Sequence, residues 1–168
     1  MCKRCRRGCW GKLDGGLDQD SIRRFIAETY GDVTVQVANS DDGSPEVAWG
    51  DTFFLHRDDK HQFPFATIVT KDYRDFDNLS NLDREGVFRL NIGVSKKTFE
   101  SLFPTAVDPD FTALDVLMPH PVYGQNHFVC VLNPSDATFI SLKPLLDEAY
   151  RIAAGRVERR KERADERA

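Results

Sequence analysis

The residues best suited to chemistry lie between positions 120 and 130. His120, Tyr123 and His127 fall within eight positions, on a predicted loop and on the strand that follows it. Functional groups are often carried by loops on rigid elements, and histidine ordinarily titrates near neutral pH. The three residues are therefore candidates for binding a ligand, or for acid–base work in a hydrolase or a metal-assisted enzyme.

Geometry weighs against catalysis and metal binding by this cluster. Two histidines need a further ligand to hold a metal, such as the carboxylate of Asp115. Cys130 lies three residues from His127 on one predicted strand, hence on the opposite face, which is poor geometry for a nucleophile and its base. In the structural alternative, which we favour, His120 anchors a loop between two prolines and His127 lies at a strand edge. We therefore predict no catalytic residue and no metal site.

A second candidate site lies on the strand predicted over residues 87–94. Side chains alternate between the two faces of a strand, so Arg89 and Asn91 share the face opposite to that of the apolar residues. A guanidinium beside an amide would suit a carboxylate or a phosphate. The alternative, which we favour, is a solvated outer face on which Arg89 pairs with Asp83 or Glu85.

The N-terminal cysteines have a tempting spacing. Cys2, Cys5 and Cys9 read C-x2-C-x3-C, which suits a metal bound by thiolates, but zinc needs four ligands and no second Cys or His pair follows. Residues 1–16 also lack periodicity, and we predict a disordered basic extension there. This extension has no apolar core typical of a secretory signal, so we predict a cytoplasmic protein.

The remaining patterns predict one domain over residues 17–155, followed by a charged helical or frayed tail over residues 156–168. The predicted elements are a helix capped by Asp18 or Asp20, strands over 33–37, 52–56, 63–70 and 87–94, short helices over 95–103 and 111–117, a strand over 126–132, and a helix that Ser141 caps and Gly155 ends. Strands joined by short loops, with helices gathered at the ends, are typical of an α+β protein. We predict a two-layer sandwich, an antiparallel sheet with helices packed on one face.

Charge is unevenly distributed along the chain. Residues 13–155 carry 12 basic and 23 acidic residues, a formal charge of −11, whereas residues 1–12 carry five basic residues and no acid. A surface that grips a phosphate backbone needs concentrated lysine and arginine. Nucleic-acid binding through the acidic body is therefore disfavoured unless Lys96, Lys97 and Arg89 cluster.

Several segments carry a family resemblance. The segments are Gly50-Asp51-Thr52-Phe53-Phe54, Phe88 to Val94, His127 to Pro134 and Leu145 to Tyr150. Over roughly residues 18–155 they resemble a family of small prokaryotic proteins of unknown function. That family is similar in layout to MmcQ/YjbR-like proteins, in which a short strand with a W/F-V-x-V/L ending precedes a helix with an S/A-Tyr pair. The resemblance implies a YjbR-like fold and an association with DNA, and the acidic body departs from the basic surface that DNA binding would need.

Three functions follow from these observations. The first, which we favour, is a non-catalytic module that binds a small molecule or a protein partner through Arg89, Asn91, His120, Tyr123 or His127, without a cofactor. The second is the DNA association implied by the resemblance. The third is a hydrolase or metal-assisted enzyme, which requires the rings of His120 and His127 to converge in a cleft. The sequence does not identify the ligand or the oligomeric state.

Overall fold

The structure, a computed structural model, describes residues 17–59 and 63–167. Its elements are α1 (Gln19–Thr29), β1 (Val33–Val37), β2 (Thr52–His56), β3 (Ala66–Val69), β4 (Arg89–Gly93), α2 (Lys96–Leu102), β5 (Met118–Pro119), β6 (Phe128–Leu132) and α3 (Asp136–Asp165), with single 3₁₀ turns at Glu46–Ala48 and Gly124–Asn126. The strands form one sheet in the order β1-β2-β3-β4-β6-β5. Every neighbouring pair is antiparallel. The predicted α+β class with an antiparallel sheet is confirmed.

One face of the sheet packs against helices and forms the core. Because side chains alternate along a strand, each central strand sends every second residue to this face. The buried cluster joins sheet residues Phe54, Ile68, Leu90, Ile92, Val129 and Val131 to helix residues Ile22, Ile26, Leu142, Leu146 and Ala149. The helix starts follow local signals: the side chains of Asp18 and Ser95 accept the backbone N–H groups of Ser21 and Thr98 at the first turns of α1 and α2.

The start of the last helix differs from the prediction. Ser135 caps α3 by accepting the Thr138 N–H at 3.2 Å, so the expectation that Ser141 caps it is wrong. Pro144 consequently lies inside the helix, where it has no backbone N–H to donate to the carbonyl of the preceding turn. Pro144 is on the exposed side of α3, where a carbonyl without a helical partner is open to solvent.

The end of the last helix differs as well. The helix continues through Gly155 to Asp165, because tertiary contacts hold the extension against the body. Val157 is buried, and Arg160 Nη1 lies 2.6 Å from Asp59 Oδ1. The tail predicted as helical or frayed is therefore helical up to Asp165.

The predicted helix over residues 111–117 is also wrong. This segment instead follows strand β6: Leu114 forms an isolated parallel bridge with Leu132, and the Asp115 N–H donates to the Leu132 carbonyl at 2.7 Å. Asp115 adopts the left-handed conformation (φ 60°), which is incompatible with a continuing right-handed helix. Its carboxylate accepts the Ser135 N–H at 2.6 Å and so helps to set the start of α3.

Two predictions fall outside the described residues. They are the spacing of Cys2, Cys5 and Cys9 and the extension over residues 1–16. Within residues 17–59 and 63–167, no helix is both long and apolar enough to cross a membrane.

Candidate functional site

The sheet face opposite the helices carries a cavity of about 410 Å³. Phe53, Thr67 and Asn91 are direct neighbours across β2, β3 and β4, so their side chains lie side by side on this face. The loop over residues 70–86 and the segment over residues 120–127 rise on either side. We call Thr67, Asp77, Arg89, Asn91 and His120 the polar floor, and Phe53, Tyr73, Phe76, Tyr123 and Phe128 the aromatic wall. All ten residues line the cavity.

Arg89 is the centre of the polar floor and is fully buried. Its Nε donates to Asn91 Oδ1 at 2.9 Å, and its Nη1 donates to Asp77 Oδ1 at 3.0 Å and to Ser80 Oγ at 2.7 Å. Its Nη2 donates to the second oxygen of Asp77, so the guanidinium and the carboxylate form a bidentate pair. Asn91 in turn donates to Thr67 Oγ1 at 2.9 Å.

The pairing of Arg89 with Asp77 shows that the prediction of a solvated outer face on β4 is wrong. Arg89 is buried and pairs with Asp77, whereas it was expected to be exposed and paired with Asp83 or Glu85. The loop over residues 70–86 folds back over the sheet, and reciprocal backbone hydrogen bonds of 2.9 Å between Tyr73 and Asp77 make a tight turn that aims the Asp77 carboxylate inward. The two-face division of β4 is as predicted.

The buried carboxylate of Asp51 holds the loop over residues 70–86 in place through hydrogen bonds. Asp51 accepts the Thr70 N–H at 2.8 Å and the hydroxyl hydrogen of Tyr73. Burial raises the pKa of Asp51 above its ordinary value, and burial together with Asp51 raises the pKa of Tyr73. Tyr73 is therefore held as a neutral donor, and its ring is fixed in the aromatic wall.

His120 anchors the segment that forms the other side of the cavity. It continues β5, since its N–H donates to the Phe128 carbonyl at 2.9 Å. Its Nδ1 accepts the N–H groups of Val122 at 3.1 Å and Tyr123 at 3.0 Å. Because two donors face Nδ1, we assign the proton of the neutral ring to Nε2.

The environment of His120 removes its ordinary titration. Only 3% of the residue is exposed, and burial, followed by the nearby charge of Arg89, lowers its pKa from 6.5 to about 3. The ring is therefore neutral at neutral pH. It cannot exchange a proton there as a general acid or base would.

The aromatic wall extends from the sheet to the solvent. The Tyr123 ring centroid lies 5.8 Å from that of Phe76, 6.2 Å from that of Phe128 and 5.0 Å from that of His120. Phe76 and Tyr123 remain 58% and 42% exposed. Their side chains thus form an apolar entrance above the polar floor.

His127 and Cys130 do not take part in this site. His127 adopts the left-handed conformation (φ 63°) just before β6, and its ring packs 5.7 Å from that of Phe99, outside the cavity lining. The convergence of His120 and His127 that the enzyme hypothesis requires is therefore not found. Cys130 is buried, and burial raises the pKa of its thiol to about 12. Within residues 17–59 and 63–167, no three His, Cys, Asp or Glu side chains are grouped to hold a metal ion.

The cavity thus brings together four of the five candidates named from the sequence: Arg89, Asn91, His120 and Tyr123. Sequence reasoning missed Asp77, Ser80 and Thr67. The alternation of the predicted strand over residues 63–70 could have placed Thr67 on a face, but no periodic signal marks Asp77 in its loop.

Comparison with known proteins gives one family. A search of curated proteins and a search of solved structures each found no significant match. The model of a family of unknown function, DUF6194, matches residues 17–162. Because this match spans most of the chain, the protein belongs to the DUF6194 family of unknown function.

Proposed function

We propose that this protein is a non-catalytic binding module whose cavity holds a small molecule. The observation that carries the proposal is an open cavity with an aromatic wall above a prearranged polar floor. Its volume of about 410 Å³ is within the range of ligand sites, which are mostly apolar with a few converging polar groups.

The energetic cost of the polar floor supports the same proposal. Burying an ion pair costs desolvation, and well-packed apolar residues of similar volume often serve stability as well or better. Arg89 and Asp77 are buried directly beneath the cavity and not within the helix-covered core. A polar network in this position is more useful for recognising a ligand than for holding the fold together.

The chemical state of the floor supports binding over catalysis. His120 is neutral and Asp77 is committed to Arg89. The nearby Cys130 thiol is buried and stays protonated. These groups can position a ligand, but none is available as a nucleophile or as a proton carrier near neutral pH.

A fragment screen tests the proposal. The library consists of monocyclic and bicyclic aromatic compounds, each present as a neutral carboxamide, a carboxylate and an amine, and binding is followed by amide NMR shifts of the 168-residue chain. We expect binders to shift the resonances of cavity residues such as Thr67 and Phe128.

Two exposed residues on the same loop give a matched pair of variants. Phe76→Ala removes part of the aromatic wall and should weaken binding, whereas Leu79→Ala lies outside the cavity lining and should not. A library without binders, or binders that shift resonances elsewhere and ignore Phe76→Ala, would refute the proposal.

The likeness in layout to MmcQ/YjbR-like proteins remains a hypothesis, together with the DNA association that it implies. The formal charge of −11 over residues 13–155 opposes that association. A DNA duplex added to the same NMR sample provides the test, and we expect no shifts at physiological salt.

A further inference from the structure

We infer that the ligand is an uncharged, flat aromatic molecule whose inner end carries a hydrogen-bond acceptor, such as the carbonyl oxygen of an amide. This inference rests on the proposed function and specifies the chemistry of the ligand. It departs from the sequence-based idea that Arg89 and Asn91 hold a carboxylate or a phosphate.

The charge of the polar floor excludes a preference for anions. Asp77 neutralises Arg89 through a bidentate pair, and His120 carries no charge at neutral pH. An anion entering the cavity would lose its hydration shell without meeting a net positive charge. That loss is costly in an apolar site, whereas a neutral acceptor avoids it.

The polar floor keeps hydrogen-bond donors that no described residue uses. Thr67 Oγ1 accepts from Asn91, and its own hydroxyl hydrogen has no acceptor among the described residues. Asn91 uses one amide hydrogen for Thr67 and retains another. A ligand that presents an acceptor to these groups complements the floor.

Arg89 and His120 mark the point where the acceptor should lie. Arg89 Nη2 is 3.0 Å from His120 Nε2, and both atoms carry hydrogens in the assigned tautomer. Nε2 is 3.7 Å from the nearest Asp77 oxygen, longer than a hydrogen bond. In that tautomer neither nitrogen accepts a hydrogen bond from the other, so a single acceptor oxygen that lies within about 3 Å of both can accept from both.

The aromatic wall determines the shape of the ligand. The Tyr123 ring centroid lies 5.8 Å from that of Phe76 and 6.2 Å from that of Phe128, and Phe53 and Tyr73 add further rings to the lining. Aromatic rings favour offset-stacked or edge-to-face contacts with another ring. A flat bicyclic molecule can make such contacts while its polar end reaches the floor.

A matched pair of probes tests the inference. Naphthalene-2-carboxamide and naphthalene-2-carboxylate have nearly the same shape and differ in charge. Each is titrated into the full chain at pH 7 and followed by amide NMR shifts, and so is every other carboxamide–carboxylate pair of the library that gives a binder. We expect the carboxamide to bind at least about tenfold more tightly than its carboxylate.

Two valine substitutions test the hydrogen bond. Thr67→Val removes the donor at constant shape and should weaken carboxamide binding about five- to tenfold, the value of one hydrogen bond. Thr34→Val is the control, because Thr34 lies on the same sheet face but outside the cavity lining, and it should leave binding unchanged.

The outcomes separate the inference from the proposed function. Equal or tighter binding of the carboxylates at the cavity would overturn the inference and leave a binding module in place. Carboxamide binding that ignores Thr67→Val would overturn the role of the floor donors. If no compound of any charge shifts cavity resonances, the inference and the proposed function fail together.

Discussion

Replacing His120 by asparagine measures how much the titration of His120 contributes to the pH dependence of stability. The asparagine Oδ1 takes a place close to that of the His120 Nδ1, so it can still accept the N–H groups of Val122 and Tyr123 that now bind the ring. The substitution therefore keeps the loop anchor and removes the titrating group.

The pKa of His120 sets the expected magnitude. In the unfolded chain the ring titrates near 6.5, whereas burial lowers its pKa in the folded protein to about 3. Between these values the unfolded state binds a proton that the folded state does not, so the free energy of unfolding falls as the pH falls. A pH of 5 lies about 1.5 units below the pKa of the unfolded histidine, which corresponds to a loss of about 2 kcal/mol in the free energy of unfolding.

Denaturant unfolding at pH 7 and pH 5 measures this effect. We expect the free energy of unfolding of the parent to fall by about 2 kcal/mol more between the two pH values than that of His120→Asn. Comparing the two proteins cancels the groups that titrate alike in both. Equal losses in parent and variant would show that His120 is not held neutral, and would refute the reasoning about the polar floor.

Three further outcomes are expected. Asp77→Asn should lower the free energy of unfolding by about 3–5 kcal/mol, because it leaves the buried guanidinium uncompensated, and chemical denaturation measures the loss. Ser135→Ala should cost about 1 kcal/mol through loss of the α3 cap, whereas Ser141→Ala should cost less than about 0.5 kcal/mol; the reverse order would contradict the observed helix start. Cys130 should resist iodoacetamide at pH 8 in the folded protein and react after unfolding, as peptide mass analysis would show, because burial keeps it protonated and inaccessible.

The helix boundaries show where sequence reasoning succeeds and where it fails. The caps Asp18 and Ser95 were predictable because the capping bond joins residues three apart and is local. Ser135 and Ser141 are both plausible caps by the same local rule. The choice between them is tertiary, because Asp115, which lies on a segment paired with β6, accepts the Ser135 N–H.

The candidate site divides in a similar way. Alternation along β4 predicted that Arg89 and Asn91 share a face. His120 and Tyr123 are close in sequence and lie together in the segment between β5 and β6. His127 was grouped with them by proximity in sequence. Its left-handed conformation and its contact with Phe99 place it elsewhere.

The sequence by itself determined the α+β class, the apolar face of the sheet and the polar face of β4, because the period of two along a strand is a local property of the backbone. Only the tertiary structure decided that the polar face is buried and that Asp77 neutralises Arg89. The two residues are twelve positions apart, and the loop between them has no periodic pattern. Their pairing depends on how that loop folds back over the sheet. The same fold of the loop therefore decides whether the site carries a net charge.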